Sequence, residues 1–338
     1  MAGEFALIDK YFARPTPSAV LGPGDDCALV QPTPGKQLAI TTDMLVAGTH
    51  FLPDTDPKNL GWKALAVNLS DLAAMGAQPR WVTLAGALPA ADEPWIAKFA
   101  EGFFACAAEY GVDLIGGDTT RGPLNLSITA IGEVEPGRAL RRDGAKIGDQ
   151  IWVSGRPGLA SLGLAQLQGK IELPGAWQRL CIAALEIPRP RVALGLALNG
   201  IASAAIDVSD GLLADLGHIA ERSGCAASLQ LVKLPQLRDL AGSGASYNAD
   251  LRRMALDCQL AGGDDYELCF TAPSEQHLAI RRIAAELELP LWCIGEMIEN
   301  PVANTVASPD KSATGTVTVF DPEGQPIEFD HQGFDHFA

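Results

Sequence analysis

The chain has 338 residues, of which 47% are hydrophobic and 20% charged, the composition of a folded globular protein rather than a disordered one. That length allows two domains, each with its own core. Forty-one acidic against twenty-five basic residues leave a net charge of −16. Nucleic acid and anionic membranes need a basic footprint and are excluded as partners, whereas a nucleotide is not, provided divalent cations bridge the like charges.

In chain order, Glu4–Phe12 is predicted to be a short helix with Phe5, Ile8 and Phe12 on one face. Leu21-Gly-Pro-Gly-Asp-Asp-Cys27 is a tight turn that delivers Asp25 and Asp26 into an apolar stretch. Gln37–Thr42 reads as a strand ending on Asp43, and His50 follows within Met44–Phe51. Pro57–Met75, closed by Gly76, is a long helix with Leu65, Leu69 and Leu72 toward the core. Asn68 and Asp71 share a neighbouring face of that helix. Asp92 starts another helix, with Trp95, Phe99 and Phe103 as its buried stripe and Gly111 as its stop. Asp113–Gly122 then reads as a strand, a double glycine, the carboxylate Asp118, two hydroxyls and an arginine. Leu124–Ile131 alternates apolar residues with Asn125, Ser127 and Thr129, the pattern of a half-buried antiparallel strand.

Arg138–Asp149 is rich in charge and glycine and reads as a linker or functional loop, which divides the chain into domains 1–140 and 148–338. Gln150–Ser154 opens the second domain as a strand, followed by helices at Leu159–Gln168, Trp177–Leu185 and Arg191–Asn199. Ile201–Ile206 is apolar enough for a buried strand, and Gly211–Arg222 is an amphipathic helix with Leu212, Leu213, Leu216 and Ile219 on one side. Asp207, Ser209 and Asp210 sit at the seam between them. Ser209 or Asp210 can cap the helix. Asp207 is costly to bury unless something pairs with it, and no Lys or Arg lies between Arg191 and Arg222, so the simplest partner is a metal ion. Ala226–Leu231 is a strand. Ala261-Gly-Gly-Asp-Asp-Tyr-Glu267 repeats the glycine-then-carboxylate theme and enters a strand at Tyr266–Thr271. Ser274 is expected to cap a helix through Leu287, Leu291–Met297 is a strand, and the remaining segment is strand-like with turns.

The seven cysteines are scattered without a C-x-x-C pair and read as small buried hydrophobes in a reducing compartment. Glu4 and Asp9 stand where a signal peptide would need an apolar run, so a cytoplasmic location is expected. The acids Asp25, Asp26, Asp43, Asp71, Asp118, Asp207, Asp210, Asp264 and Asp265 follow glycines, end strands or sit on a helix, mostly with hydroxyls nearby. Short aspartates suit a hard cation with near-octahedral geometry, so several magnesium ions are favoured over zinc, for which no ligand spacing exists. Several magnesium ions beside glycine-rich turns and a few arginines suit phosphoryl transfer, although neither a P-loop nor the protein-kinase sequences occur.

GPGDDCALV, TTDMLVAGTHF, NLSDLAAMGAQPRW, LIGGDTTRG, AIDVSDGLLADLGHIA and GGDDYELCF, in this order and spacing, resemble the thiamine-monophosphate kinase family. That family lies in the superfamily of aminoimidazole-ribotide synthetase. The resemblance implies an α/β (α+β) fold of two domains, the N-terminal one forming a dimeric β-barrel across a two-fold axis and the C-terminal one an α/β layer. It implies a homodimer that uses ATP to phosphorylate thiamine monophosphate to thiamine diphosphate by direct in-line transfer. By position it implies Asp26, Thr41, Thr42, Asp43, Asp71, Asp118, Asp207 and Asp210 as magnesium ligands, with Asp43, Asp118 and Asp207 closest to the chemistry. It also implies Gly117, Asp118, Arg142 and Ser209 as nucleotide contacts, and His50, Asp264 and Phe334 as substrate contacts. Selenophosphate synthetase, a relative, is expected to carry a reactive Cys and Lys near the N-terminus, whereas the first cysteine here is Cys27 within the turn. A non-catalytic metal-binding module has no use for Arg121 and Arg142 inside acidic motifs.

Overall fold

The computed structural model describes residues 4–235, 237, 249–300 and 315–327. Two units form, one from Met1–Ala139 with Glu186–Val192, the other from Leu140–Leu185 with Ala193–Ala338. Phe334 lies outside the described residues.

The first unit opens with α1 (Glu4–Leu7), which continues as a wider helical turn over Ile8–Phe12. Its sheet contains β1 (Gln37–Val46), β2 (Gln78–Leu88), β3 (Asp113–Arg121) and β4 (Asn125–Val134) in the order β1-β4-β2-β3. The strand β4 is antiparallel to both neighbours, as its alternating sequence implies, while β2 and β3 run parallel. Among the described residues this sheet is open, not a closed barrel. Two expectations change here. The strand β1 runs past Asp43 to Val46, and β3 runs through Gly117 and Asp118 to Arg121, so both carboxylates stand inside strands rather than after them. Sequence reading also misses β2, because its WVTLAGAL core is nearly continuous in apolar residues and shows no alternation.

Two helices cover the sheet. In α2 (Pro57–Ala74), Asp56 caps the N-terminus by accepting the Lys58 N–H at 2.8 Å. Leu65, Leu69 and Leu72 are fully buried, and the helix is buried on nearly every side because α3 (Glu93–Tyr110) packs on its back. The contact between the helices is backbone-close: a Cβ on Gly61 would lie 2.0 Å from the Phe99 carbonyl oxygen, and one on Gly102 would lie 1.7 Å from that of Lys58. Asp92 caps α3 through the Trp95 N–H, and Gly111 ends it in the left-handed conformation, as expected. The segment Glu186–Val192 returns to this unit: Trp62 Nε1 donates to the Pro188 carbonyl at 2.7 Å, and Arg189 lies over the Trp62 ring while pairing with Glu109. No sequence signal marks this return.

The second unit is built on β5 (Gln150–Ser154), β6 (Ala204–Val208), β7 (Ala226–Gln230), β8 (Glu267–Ala272), β9 (Leu291–Ile298), β10 (Val317–Phe320) and β11 (Pro326–Ile327). Their order is β11-β10-β7-β9-β5-β8-β6, antiparallel throughout except for the parallel β10–β7 pair. The helices are α4 (Leu159–Leu167), α5 (Gly175–Glu186), α6 (Val192–Ala197), α7 (Leu212–Ser223), α8 (Ala249–Ala261) and α9 (His277–Glu286). Leu212, Leu216 and Ile219 of α7 pack with Ile151, Ile206, Leu229 and Met297 of the sheet. Leu162, Leu173, Trp177, Cys181 and Ala255 form a smaller core. The strand β6 begins at Ala204, not Ile201, and no side chain caps α9, because a 3-10 turn at Ser274–Gln276 leads into it. The helix α8 is also unanticipated, its charged Arg252, Arg253 and Asp257 diluting the apolar period. All seven cysteines are free thiols, Cys27 alone being exposed. Among the described residues no helix is long and apolar enough to cross a membrane.

One buried acid of β4 generates a stability test. Glu133 accepts the Thr33 N–H at 2.7 Å and the Thr33 hydroxyl at 2.8 Å. Burial alone would raise its pKa, but the two Thr33 bonds with the charges of Arg80 and Lys36 hold it below the usual glutamate value. A depressed carboxylate stabilises the fold above the unfolded pKa of about 4.3, and that stabilisation is lost as pH falls through the folded pKa. Glu133→Gln should therefore cost about 1–3 kcal/mol at neutral pH. It should also flatten the acid limb of a urea-unfolding series between about pH 3 and 5. An unchanged acid limb would remove Glu133 from that balance.

Candidate active site

In the first unit the candidate residues gather on β1 and α2. Side chains alternate along a strand, so Thr41 and Asp43 leave from one face and Thr42 from the other. The Thr41 hydroxyl donates to the Asp71 carboxylate on α2 in a short hydrogen bond. The Asp43 backbone N–H donates to Asn68 Oδ1 at 2.9 Å. Asn68 and Asp71, three apart on the helix, thus both reach β1, Asn68 as a positioning group that the sequence reveals only through its shared face with Asp71. Thr42 is exposed on the opposite face, its hydroxyl 2.8 Å from that of Thr129 on β4. The structure therefore joins Thr41, Asp43 and Asp71 and turns the Thr42 hydroxyl away from them.

His50 closes a tight loop after β1: its Nδ1 accepts the Val46 N–H at 3.0 Å, and its own N–H donates to the Val46 carbonyl at 2.9 Å. With Nδ1 engaged as an acceptor, a neutral imidazole carries its proton on Nε2. Asp26 is exposed in the glycine turn, its N–H bonded to Asp25 Oδ1 at 2.9 Å. Gly117 and Asp118 are exposed on the edge strand β3, opposite Leu84 and Ala85 of β2. At Gly117 the backbone has φ +154°, and a Cβ would lie 1.9 Å from the Leu84 carbonyl oxygen, so only glycine fits.

In the second unit the candidates gather where β6 meets α7. Asp207 is 3% exposed and pairs with Leu268 of β8, whereas Ser209 and Asp210 are half-buried. Neither Ser209 nor Asp210 caps α7; its N-cap is Gly211, with no side-chain bond. Asp215 replaces them. One of its carboxylate oxygens accepts the N–H groups of Ser209, Asp210 and Gly211. Burial pushes the Asp215 carboxyl up to about 7, the Asp210 charge adds to the rise, and the three N–H groups oppose it. A sequence signal for Asp215 existed: it lies three residues from Leu212 and four from Ile219, on the apolar stripe of the helix.

Asp264 and Asp265 have opposite fates. The Asp264 N–H donates to the Ser209 carbonyl at 2.8 Å, and Asp264 Oδ1 accepts the Tyr266 hydroxyl at 3.0 Å. Asp264 therefore belongs with Asp207, Ser209 and Asp210. Asp265 turns inward, accepting the Gly158 N–H at 2.6 Å and the Ala160 N–H at 3.3 Å, and caps α4 from a distant loop. Burial of its carboxyl raises its pKa well above the ordinary value. Arg142 is exposed, and its carbonyl accepts the Ser223 hydroxyl at 3.0 Å.

Each unit thus presents its own oxygen-rich set. Among the described residues no three His, Cys, Asp or Glu side chains gather closely enough to hold an ion alone. Carboxylates and hydroxyls are nevertheless the donors magnesium takes, and magnesium is ordinarily held by one or two carboxylates with substrate phosphates and water completing its shell. The donor set fits that ion.

Residues 24–134 match the family model of the AIR synthase related protein N-terminal domain, and residues 146–306 match that of its C-terminal domain. The fold and site therefore define a two-domain, mixed α/β protein of the AIR synthase related class. Over 340 aligned residues the chain is 46% identical to thiamine-monophosphate kinase of Salmonella typhimurium, covering 99% of this chain and 98% of the relative. Its structure is similar to that of thiamine-monophosphate kinase from Stenotrophomonas maltophilia, with a TM-score of 0.79 and 51% identity over 88% of this chain and 94% of the other. It is also similar to the structure of AaThiL complexed with AMPPCP and TMP, with a TM-score of 0.74 and 30% identity over 99% and 97% of the two chains. The chain belongs to the thiamine-monophosphate kinase family.

The close approach at Gly117 carries a prediction about the fold of the site strand. Gly117→Ala should destabilise the protein by roughly 2–4 kcal/mol, since the new methyl can be relieved only by parting β3 from β2. A urea midpoint equal to that of the unmodified protein would mean that the β2–β3 register differs.

Proposed function

We propose that the protein transfers the γ-phosphoryl group of ATP to the phosphate of thiamine monophosphate, yielding ADP and thiamine diphosphate, the last step of thiamine diphosphate synthesis. The observation that carries this reading is the match, over nearly the whole chain, to a relative solved with AMPPCP and TMP. The domains divide the labour: 1–140 carries nucleotide and metal binding and dimerisation, and 148–338 is the C-terminal α/β domain.

The transfer is direct and in-line, without a phosphoenzyme. The acceptor is a phosphate oxygen, already ionised near neutral pH, so no strong general base is needed. Asp26, Thr41, Asp43, Asp71, Asp118, Asp207 and Asp210 would hold several magnesium ions, Thr42 being able to join them only through its backbone carbonyl because its hydroxyl faces Thr129, with Asp43, Asp118 and Asp207 nearest the transferred group. When bound, these ions neutralise phosphate charge and let two anionic reactants approach. Asn68 steadies Asp43 through its backbone, and Thr41 steadies Asp71. Gly117 lets the backbone come close to the nucleotide, and Arg142 and Ser209 bind its phosphates. His50 offers an Nε2–H to the acceptor. Asp264, oriented by Tyr266, faces the cationic thiazolium, and Phe334 completes the substrate contacts. The free thiols suit a cytoplasmic location.

The working form is a homodimer. Leu38, Ile40 and Met44 project from one face of the edge strand β1 and are 40%, 63% and 54% exposed. A row of large apolar side chains on an open sheet favours coverage by a second copy, which would close two open sheets into a barrel.

Three experiments test these readings. Incubation with ATP, thiamine monophosphate and magnesium should yield thiamine diphosphate on chromatography, and EDTA should abolish it. Asp43→Asn and Asp118→Asn should each lower turnover roughly 100-fold or more while melting near the unmodified protein. Near-normal turnover in either variant would overturn its role as a ligand. Separately, Ile40→Glu should shift the mass measured by light scattering from dimer to monomer, and a dimeric variant would place the interface elsewhere.

A further inference from the structure

Three consecutive backbone N–H groups converge on one oxygen. Those of Ser209, Asp210 and Gly211 lie 3.0, 3.1 and 3.2 Å from Asp215 Oδ2. Successive N–H groups folded around a point make a nest that ordinarily receives an anion. Here the anion is internal: Asp215 is 3% exposed, on the apolar face of α7 beside Leu212, Leu216 and Ile219. A carboxylate in that position is a costly way to finish a helix. Ser209 or Asp210 could cap α7 from the surface without burying a charge, yet neither does. With the three N–H groups turned inward, the side chains of Ser209 and Asp210 stay half-exposed.

The same loop is gripped from its carbonyl side. The Val208 carbonyl accepts the Tyr266 N–H, and the Ser209 carbonyl accepts the Asp264 N–H, both at 2.8 Å. Asp264 and Tyr266 are both in the left-handed region, with φ of 69° and 51°, which side-chain-bearing residues adopt only where the surroundings over-determine it. Two independent clamps on four residues exceed what a helix start requires. They match what a site needs when a shift of about 1 Å lowers rate roughly 100-fold.

We propose that Asp215 is a positioning residue for phosphoryl transfer, holding the Asp207–Asp210 loop by filling its N–H nest. The word transfer rests on the kinase reading given above; the anchor does not. Both are tested on the full chain with Asp215→Ala and Asp215→Asn. Amide hydrogen exchange of the 207–215 segment without ligands reads the anchor, and kcat and KM for both substrates, taken well below the melting temperature, read the positioning.

Asp215→Ala should lose protection at 209–211 and lower kcat roughly 100-fold, with KM for thiamine monophosphate changed less than about 3-fold. Asp215→Asn keeps an oxygen acceptor and should recover at least about 10-fold of that loss. Formate, small enough to enter the emptied nest, should restore part of the Ala variant's kcat. A purely structural role would lower the melting temperature and leave kcat per folded molecule unchanged, and that result overturns the proposal. Unchanged exchange in the Ala variant overturns the anchor, and equal losses in Ala and Asn overturn the acceptor role. An unmodified protein inactive on thiamine monophosphate would overturn the kinase reading instead, and the exchange data would still decide the anchor.

Discussion

Every buried carboxylate needs donors, and a chain with sixteen more acids than bases has few cations to supply them. Backbone N–H groups and hydroxyls do so instead. Asp215 takes three N–H groups, Asp265 takes two at the start of α4, Glu133 takes the N–H and hydroxyl of Thr33, and Asp113 takes those of Ser18. Each bond also fastens a loop to a regular element, so the acids that look surplus in the composition act as internal staples. Asp26 and Asp118, by contrast, keep exposed carboxylates and are among the acids proposed to hold cations.

The same rule explains the layout of the first unit. Its sheet has helices on one face, so α2 can reach β1 from that side, through Asn68 to the Asp43 backbone and Asp71 to Thr41. The opposite face of β1 is left with Leu38, Ile40 and Met44 exposed. A strand with a two-residue period serves two purposes at once: one face fixes oxygen donors against a buried helix, and the other offers an apolar surface. Thr42 follows the second face, which is why three successive polar residues do not form one cluster.

Periodicity revealed most of the elements and motif order revealed the family, but each rests on a different kind of information. Capped helices such as Asp92 to Gly111 are legible because their punctuation is local. The strand β2 was not, since its nearly continuous apolar run has no alternation to read, and α8 was hidden by its charges. Among site residues, Asp43, Asp71 and Asp207 stood out by chemistry in an apolar context. The division between Asp264 and Asp265 could not be read, because it depends on which of two adjacent acids meets the N-terminus of a helix about a hundred residues away in sequence. The substitution of Asp215 for Ser209 or Asp210 as the partner of the helix start was readable in part. An aspartate on an apolar stripe implies a buried acceptor, although the N–H groups it would meet are set by the loop's fold.

These staples bear on how phosphate can be bound. Proteins without a P-loop commonly still offer phosphate a helix start or a nest of N–H groups. In the second unit two such places, the 209–211 nest and the start of α4, are filled by Asp215 and Asp265. Phosphate charge is then left to be met by something other than these amides. On the proposed reading, that charge is met by divalent cations recruited from solution, aided by Arg142. Aspartates at exposed or half-buried positions carry the hard oxygens that such cations take. On that reading the acidic composition, the internally capped amides and the demand for divalent ions are one arrangement: backbone donors organise the loops, and carboxylates with their metals would organise the substrates.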